Sequence, residues 1–401
     1  MRTLSIIKCG ILLILLALLP AVHADAQKRE LKACLYPYIP DADMYYKKIE
    51  SLFEKQYPDI DLQIEIEDGR SGTIEYYHGG LYATQADVLE IDCIFLDSLI
   101  RKNSVMAYPD QNFLKARTDT MNYDGIAYHD GTLYVLPHWI CGNFLFYHKE
   151  DAAIRNATYL NELEKALGID SKALTTDLSG GLTGGEMYAD GLYDDKGNKA
   201  DVGIALQQEK PDVTTVNNMR RLLHLTDTVY SLSSDSSTAR IEGFVKGKFR
   251  VHVGYAESSN EILKAINKLT GVRLKPTDIA IRDWPLSDKG SHPLGWVDAL
   301  GIKAGLSGQK LTDAQDFINF LLSDTGYLNA LIPDANQVPR YLLPAYKRYY
   351  QNQAVLEKAP LYRYFLPLAE DMKPLKLPKM NNEKLRKTGG EVMEEIRKPE
   401  K

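Results

Sequence analysis

The chain has 401 residues, of which 44% are hydrophobic and 25% are charged, and its formal net charge is −6. This is the composition of an ordinary globular protein, long enough to form two lobes around a sizeable core. The sequence has neither a basic patch nor an Arg-rich helix, which argues against binding to nucleic acid or to an anionic membrane surface.

The N-terminus has the pattern of an export signal. Two basic residues within the first eight positions precede an apolar run from Gly10 to Pro20, and small residues follow as far as Ala26. This order is typical of a signal peptide, and the apolar run is too short to span a bilayer. We therefore predict a signal peptide over residues 1–24, with cleavage after Ala26 as an alternative. The mature protein is expected to be secreted or periplasmic, without a membrane anchor; a retained N-terminal anchor is the other interpretation.

The next segment of the chain alternates between strand and helix patterns. It contains a predicted strand at Leu31–Leu35, a helical period from Tyr45 to Phe53, a strand at Leu62–Ile66, a short helix or turn at Gly79–Gln85 and a buried-type strand at Val88–Leu96. This order favours a mostly parallel sheet of α/β type, in which ligands bind beyond the carboxyl ends of the strands. Asp92 is expected inside the third strand and Asp97 at its end.

The middle of the chain mixes a hairpin, helices and a glycine-rich stretch. We predict a hairpin at Gly125–Leu136, an extended run at Pro137–Tyr147, helices at Leu160–Leu167 and Val216–Leu225, and a loop at Asp177–Gly203. The glycines of that loop are not followed by the Lys-Ser/Thr of a phosphate-binding loop, so we interpret the segment as an ordinary connection.

The last third continues the alternation. Phe249–Tyr255 is predicted to be a buried strand, and Ser258–Glu261 a capping box that opens a helix at Ile262–Leu269. Further predicted elements are a strand at Gly295–Ile302, a helix at Asp313–Leu322, helix in pieces between residues 344 and 376, and a highly charged segment from about Lys384 whose extreme end is frayed. Glu257 then lies at a strand-to-helix turn.

Cysteine and tyrosine usage bears on function. Cys9 lies within the predicted signal peptide, which leaves Cys34, Cys93 and Cys141, an odd number for an exported protein. Cys34 and Cys93 each lie in a strand-rich run, and they either pair or are both buried thiols. The 25 tyrosines outnumber the phenylalanines and tryptophans together, which suits the lining of a binding cleft.

Three segments resemble extracellular solute-binding proteins. They are the helix pattern of Asp313–Leu331, the run Phe244–Lys248 that leads into a strand, and Leu136-Pro137 followed by an extended apolar run. This resemblance implies a two-lobed periplasmic-binding-protein type II fold with an interlobe cleft. It divides the chain into lobe 1 (residues 28–136), lobe 2 (137–296), a return to lobe 1 (297–345) and C-terminal helices (346–401).

Five further segments are similar, in order, to the active-site segments of the thiaminase I family. They are Leu35–Pro40, Glu90–Asp92, Cys141–Phe144, Gly254–Ser258 and Trp296–Asp298. The resemblance implies Cys141 as the nucleophile and Glu257 as the base that activates it. It implies substrate contacts from Tyr36, Tyr38, Tyr77, Asp92, Tyr255, Trp296 and Asp298. Trp296 stands where the family is expected to have a tyrosine, and either Tyr76 or His78 could take the place of Tyr77.

These residue types suit the cleavage of thiamine, whose pyrimidine is joined through a methylene to a cationic thiazolium. A cysteine thiolate adding to the pyrimidine would divide a difficult displacement into two steps, and an amine or thiol would then take the methylene. Glu257 can remove the thiol proton if burial raises its basicity. Asp92 and Asp298 are candidates for holding the protonated pyrimidine, and the aromatic rings suit a cation. No cofactor or metal is expected.

Several alternatives stay open at this level. A non-catalytic solute-binding protein for thiamine, its pyrimidine or another small ligand would share the fold, and a sugar-binding protein would share the aromatic cleft. Asp92 fits a structural salt bridge as well as a ligand contact. His138 suggests a Cys-His pair with Cys141, although its spacing on a strand disfavours one. We expect a monomer that meets thiamine and a nucleophilic co-substrate.

Overall fold

The computed structural model describes residues 28–65, 80–121, 124–197, 206, 208, 210–233, 236–272, 274–291, 293–375 and 382–398. The first elements in chain order are β1 (Arg29–Cys34), α1 (Ala42–Gln56), β2 (Ile60–Glu65), α2 (Gly80–Ala83), β3 (Val88–Asp92), α3 (Leu96–Arg101), β4 (Tyr128–His129), β5 (Thr132–Leu133), β6 (Val135–Cys141), β7 (Phe144–His148), α4 (Ala152–Arg155), α5 (Leu160–Leu167), β8 (Leu174–Thr175) and α6 (Gly181–Lys196).

The remaining elements are α7 (Val213–Leu225), α8 (Thr228–Ser231), α9 (Ser237–Val245), β9 (Val251–Gly254), α10 (Ser258–Lys268), β10 (Ile279–Asp283), β11 (Leu294–Ile302), α11 (Gly308–Leu321), α12 (Asp324–Leu331), β12 (Leu343–Pro344), α13 (Lys347–Tyr350), α14 (Gln353–Lys358), α15 (Tyr362–Asp371), β13 (Lys373–Pro374) and α16 (Asn382–Arg397). Single 3₁₀ turns lie at Cys93–Phe95, Asp124–Ile126 and Pro276–Asp278.

The described strands form two main sheets. The larger has the order β12-β6-β11-β3-β1-β2, with β13 added beside β11, and the smaller has the order β10-β7-β9-β8. In the larger sheet β1 is parallel to β2 and β3, whereas β11 is antiparallel to both β3 and β6. The α/β class and the early strand–helix–strand order are as the sequence predicts.

The chain crosses between the two sheets at Gly142 and Asn143. The sequence predicts one extended run over Pro137–Tyr147, but the structure divides it between β6 of the larger sheet and β7 of the smaller one. A side chain at Gly142 would collide with the Leu294 carbonyl oxygen, 2.9 Å from an added Cβ, and with the Met372 side chain. Only glycine fits this crossing without displacing its neighbours.

The prediction of a loop over Asp177–Gly203 is wrong for most of its length, because Gly181–Lys196 is the long helix α6. Its glycines lie where α16 crosses it. An added Cβ at Gly181 would be 2.6 Å from the Arg386 carbonyl oxygen, and one at Gly185 would be 2.7 Å from that of Leu385. The glycines therefore allow two helix backbones to touch instead of forming a turn. Residues 198–203 lie outside the described part of the chain.

Two smaller predictions also need correction. The third strand ends at Asp92, and Asp97 lies on the helix α3 instead of at the strand end. The helix α10 begins at Ser258, so the capping box predicted at Ser258–Glu261 is not its start. The charged C-terminal segment forms the helix α16, packed against α6 and α7, as far as Arg397. The predicted frayed end at 399–401 lies outside the described residues.

Among the described residues, no helix is long and apolar enough to cross a membrane. Cys93 and Cys141 are free thiols in the structure, so Cys34 and Cys93 do not form a disulfide with each other.

Candidate active site

Five predicted site residues meet at one edge of the larger sheet. Tyr36 follows β1, Asp92 ends β3 and Cys141 ends β6, and these three strands run in the same direction. The antiparallel strand β11 begins at the same edge and contributes Trp296 and Asp298. In its register Asp298 is paired with Asp92 and Trp296 with Cys141. The topology thus places the end of each strand beside the others, as expected for a ligand site in an α/β sheet.

The smaller sheet provides the opposing wall of the site. Phe144, at the start of β7, is paired with Gly254, at the end of β9. Cys141 lies three residues before Phe144, and Glu257 lies three residues after Gly254, so the pairing brings the candidate nucleophile and base toward the same place. Tyr255 lies in the same turn between β9 and α10.

These residues line one cavity of about 260 Å³ between the two sheets. Its lining includes every predicted site residue that lies in the described part of the chain: Tyr36, Tyr38, Asp92, Cys141, Tyr255, Glu257, Trp296 and Asp298. Tyr77 and the alternatives Tyr76 and His78 lie outside the described residues. Within the described chain, no group of three or more His, Cys, Asp or Glu side chains is arranged to hold a metal ion.

The pKa values of Cys141 and Glu257 are both raised above their usual values. Burial raises the pKa of the Cys141 thiol well above its usual value, and the carboxylates of Asp298 and Glu257 raise it further. Burial likewise raises the pKa of Glu257 to about 7. Cys141 is therefore a neutral thiol, and it needs a proton acceptor to become a nucleophile. Glu257 is such an acceptor near neutral pH.

Glu257 is not used to cap its helix. It is the residue before α10, yet its side chain makes no capping hydrogen bond, and its buried Oε2 has no hydrogen-bond partner. A buried, unpartnered carboxylate oxygen is costly unless a ligand or a proton satisfies it. This geometry favours the catalytic interpretation of Glu257 over a helix-start carboxylate.

Asp92 and Asp298 form a close pair of buried acids. Burial raises the pKa of Asp92 to about 7, against the effect of the Ile94 N–H, which donates to Asp92 Oδ1 at 3.1 Å. The pKa of Asp298 is raised well above its usual value by burial and then by the charge of Asp92. Two carboxyls on directly paired positions of neighbouring strands do not both ionise readily, so the pair holds a proton. Such a pair can donate a hydrogen bond to a pyrimidine nitrogen.

The Cys-His pair considered from the sequence is not formed. His138 is buried within the larger sheet, where its Nδ1 lies 2.5 Å from Glu90 Oε1, and it is not part of the cavity lining. The other oxygen of Glu90 accepts the Tyr36 N–H at 2.9 Å, and the Tyr46 hydroxyl donates to the Tyr36 carbonyl at 2.5 Å. Glu90, held by His138, therefore helps to fix the backbone of Tyr36 at the edge of the cavity.

The aromatic residues differ in depth. Tyr36 and Tyr38 are in edge-to-face contact with ring centroids 5.5 Å apart, and Tyr38 is 52% exposed. Trp296 is buried, and its indole Nε1 has no hydrogen-bond partner. The cavity thus has an exposed aromatic edge and a buried aromatic wall whose indole N–H is available to donate a hydrogen bond.

Sequence reasoning missed Glu186 and Trp284, which also line the cavity. Glu186 lies on α6, the segment predicted to be a loop, and the Tyr255 hydroxyl donates a hydrogen bond to its carboxylate. Burial raises the pKa of Glu186 to about 8. Trp284 follows β10, and its buried Nε1 has no hydrogen-bond partner. Only recognition of α6 as a helix could have pointed to Glu186.

The two-sheet architecture and the cavity between the sheets define the class of the protein: a two-lobed periplasmic-binding-protein type II fold. A solved sugar-binding protein, MalE from the phytopathogen Xanthomonas citri, has a TM-score of 0.69 at 14% identity, over 92% of each chain. The structure of Clostridium botulinum thiaminase I in complex with thiamin has a TM-score of 0.74 at 21% identity, over 92% of this chain and 100% of that one.

Sequence similarity distinguishes between these two kinds of structural relative. Thiaminase-1 of Paenibacillus thiaminolyticus is 26% identical in a match of 359 residues that covers 85% of this chain and 82% of the relative. The sequence matches no family model. The chain is thus similar to thiaminase I in both sequence and fold, in agreement with its five active-site-like segments.

Proposed function

We propose that this protein cleaves thiamine by transferring its pyrimidine methylene from the thiazole to an amine or thiol. The observation that carries the proposal is that Cys141 and Glu257 line one cavity, with Oε2 of Glu257 unpartnered, in a chain similar to thiaminase I. A carrier that only binds and releases its ligand has no use for a thiol beside a weak base. The relative's name supports thiamine as the substrate.

The charges of the cavity fit this substrate. Asp92, Glu186, Glu257 and Asp298 all line it, and together they favour a cation. Arg240 also lines it, but its guanidinium is held by Asp177 at 2.9 Å and by two backbone carbonyls, so its charge is already compensated. The thiazolium of thiamine is a permanent cation that attracts whichever of these acids is ionised, whereas a neutral sugar offers no such attraction.

The proposed reaction begins with proton transfer. Glu257 takes the thiol proton as the sulfur of Cys141 bonds to a pyrimidine ring carbon, and the Asp92–Asp298 pair holds the ring nitrogen or amino group. The bond between the methylene and the thiazolium nitrogen then breaks, and its electron pair stays on the leaving thiazole, which becomes neutral. A nucleophile takes the methylene in a second step, and the sulfur leaves. This sequence predicts ping-pong kinetics.

Incubation of the purified protein with thiamine and pyridine, followed by mass spectrometry, tests the proposal. The expected result is free thiazole together with the pyrimidine joined to pyridine. Cys141→Ser is the control and should yield neither product. Thiamine that binds but stays intact with the wild-type protein would show a carrier instead.

We also propose that the protein acts outside the cytoplasm, because of the signal-peptide pattern in residues 1–24. That segment lies outside the described residues. The N-terminal sequence of protein recovered from the culture medium or periplasm would test cleavage after Ala24. An intact N-terminus on cell-associated protein would contradict the proposal.

A further inference from the structure

Glu186 is a buried carboxylate that the reaction described above does not use. It lies on one face of α6 with Thr183 and Met187, and all three line the cavity that contains Cys141. Its side chain is almost fully buried, and the Tyr255 hydroxyl donates to its Oε2. Tyr255 is two residues from Glu257, so the two glutamates lie on either side of one short turn.

The position of Glu186 is held firmly. The helix α6 packs against α16 through its glycines, and farther along α6 Asp190 accepts the Leu294 N–H and Asp194 accepts the Leu286 N–H. These contacts fix α6 relative to the start of β11, which carries Trp296. A carboxylate on such a rigid support can be aimed at a reacting group.

The proposed reaction needs a second proton acceptor when the nucleophile carries a proton. In the first half, the thiol proton moves to Glu257 and neutral thiazole leaves. In the second half, the lone pair of an amine bonds to the methylene carbon, and the ring electrons return as the carbon–sulfur bond breaks. The sulfur then recovers its proton from Glu257. The proton of the attacking N–H is left over, and Glu257 is still protonated when the attack begins.

We propose that Glu186 is the base that accepts this proton, and that the cavity is therefore built for nucleophiles with an N–H or S–H group. The inference rests on the proposed function. After the transfer Glu186 is neutral, the product amine is neutral, and one proton is released to solvent in each turnover. A nucleophile without such a proton, pyridine for example, gives a pyridinium product and releases none.

The other acids of the cavity are less suited to this role. Asp92 and Asp298 face each other in the register of β3 and β11 and share a proton, so they are committed to the pyrimidine side. Glu186 comes from a different wall, beside Tyr255, whose hydroxyl donates to the carboxylate and orients it. A pKa of about 8 gives Glu186 the basicity of a general base at mildly alkaline pH.

A comparison of two nucleophiles tests the proposal. The value of kcat/KM for the nucleophile is measured at saturating thiamine, once with aniline and once with pyridine. For Glu186→Gln we expect a loss of at least about tenfold with aniline, toward the 10²–10⁴-fold typical of a general base. The value for pyridine should change less than about threefold. Glu242→Gln makes the same chemical change at a surface ion pair with Lys246, and it should leave both values unchanged.

The outcomes separate this inference from the function on which it rests. If the wild-type protein forms no pyridine product, the proposed function fails, whatever the variants do. If Glu186→Gln lowers both values equally, or if the wild type accepts pyridine but neither aniline nor a thiol, the role of Glu186 is refuted and the function stands. If Glu186→Gln does not fold by circular dichroism, Glu186→Asp serves instead. It should lower transfer to aniline selectively while retaining more than a trace of it.

Discussion

Replacing Glu257 with glutamine should make the folded protein more stable at alkaline pH while it inactivates the site. Burial raises the pKa of Glu257 from 4.5 to about 7, and the neighbouring carboxylate of Glu261 contributes in the same direction. Between these pH values the folded state holds a proton that the unfolded chain has released. Stability therefore falls as the pH rises from about 4.5 through 7, and above that it stays lowered.

The size of the effect follows from the two pKa values. One pKa unit corresponds to about 1.4 kcal/mol, so the ionised Glu257 costs the folded state about 3 kcal/mol at pH 8.5. A glutamine carries no such cost. The free energy of unfolding of Glu257→Gln should thus exceed that of the wild type by up to about 3 kcal/mol at pH 8.5. At pH 4 the difference should be close to zero, since both side chains are then neutral.

Urea unfolding at pH 4, 6 and 8.5, without ligand, measures this difference. Glu242→Gln is the matched control, because the pKa of Glu242 is lowered by its hydrogen bond to Lys246, so removing that carboxylate cannot stabilise the protein at high pH. The same series should show kcat/KM for thiamine rising through about pH 7 in the wild type and staying low in Glu257→Gln. A stability difference that does not change with pH would refute the reasoning.

Substitutions at three other positions probe the nucleophile, the aromatic wall and a contact beside the cavity. Cys141→Ser should abolish turnover, with thiamine binding by calorimetry preserved; full activity would rule out the covalent route. Trp296→Ala should raise KM and lower kcat less than Glu257→Gln does, whereas Trp296→Tyr should keep most activity, and unchanged steady-state constants in the alanine variant would show that Trp296 does not touch the substrate. Asn260 donates from Nδ2 to the carbonyls of Val338 and Pro339 at 3.2 and 2.9 Å, across the cleft. Asn260→Ala should therefore favour an open cleft and weaken thiamine binding about 5- to 100-fold. Small-angle scattering that shows no loss of compactness in this variant would contradict the prediction.

The position of the site could be predicted because it depends on local patterns and on topology. Alternating and continuous apolar runs identified β1, β3 and β11, and parallel strands bring their carboxyl ends to one edge. Tyr36 and Asp92 were therefore expected near one another from the strand order, whereas Asp298 was expected beside them only from the resemblance to thiaminase I. The register between β3 and β11, which faces Asp92 with Asp298, depends on a pairing between residues about 200 positions apart. No local pattern encodes it.

The helix α6 could not be predicted because its glycines have a tertiary cause. Four glycines between positions 180 and 185 normally indicate a turn, since glycine disfavours helix interiors by about 1 kcal/mol each. Here the close packing against α16 outweighs that cost, and this packing requires glycine. An added Cβ at Gly184 would be only 2.6 Å from Cγ of Met393 on α16. The partner helix lies about 200 residues later in the chain. Glu186 was missed for the same reason, although its residue type is the one that a proton acceptor requires.

The four acids of the cavity must have different protonation states and different roles in the proposed reaction. If Asp92, Glu186, Glu257 and Asp298 were all ionised, they would bind the thiazolium cation most strongly in the ground state. That would oppose its conversion to neutral thiazole, because only interactions that strengthen in the transition state accelerate a reaction. Their raised pKa values avoid this problem, since several of the four are neutral near pH 7. We infer that the Asp92–Asp298 pair supplies a proton to the pyrimidine, where negative charge develops after sulfur attack, while Glu257 must be ionised for the first step and Glu186 for the second. The same arrangement helps release, because the thiazole loses its attraction to the cavity once it becomes neutral.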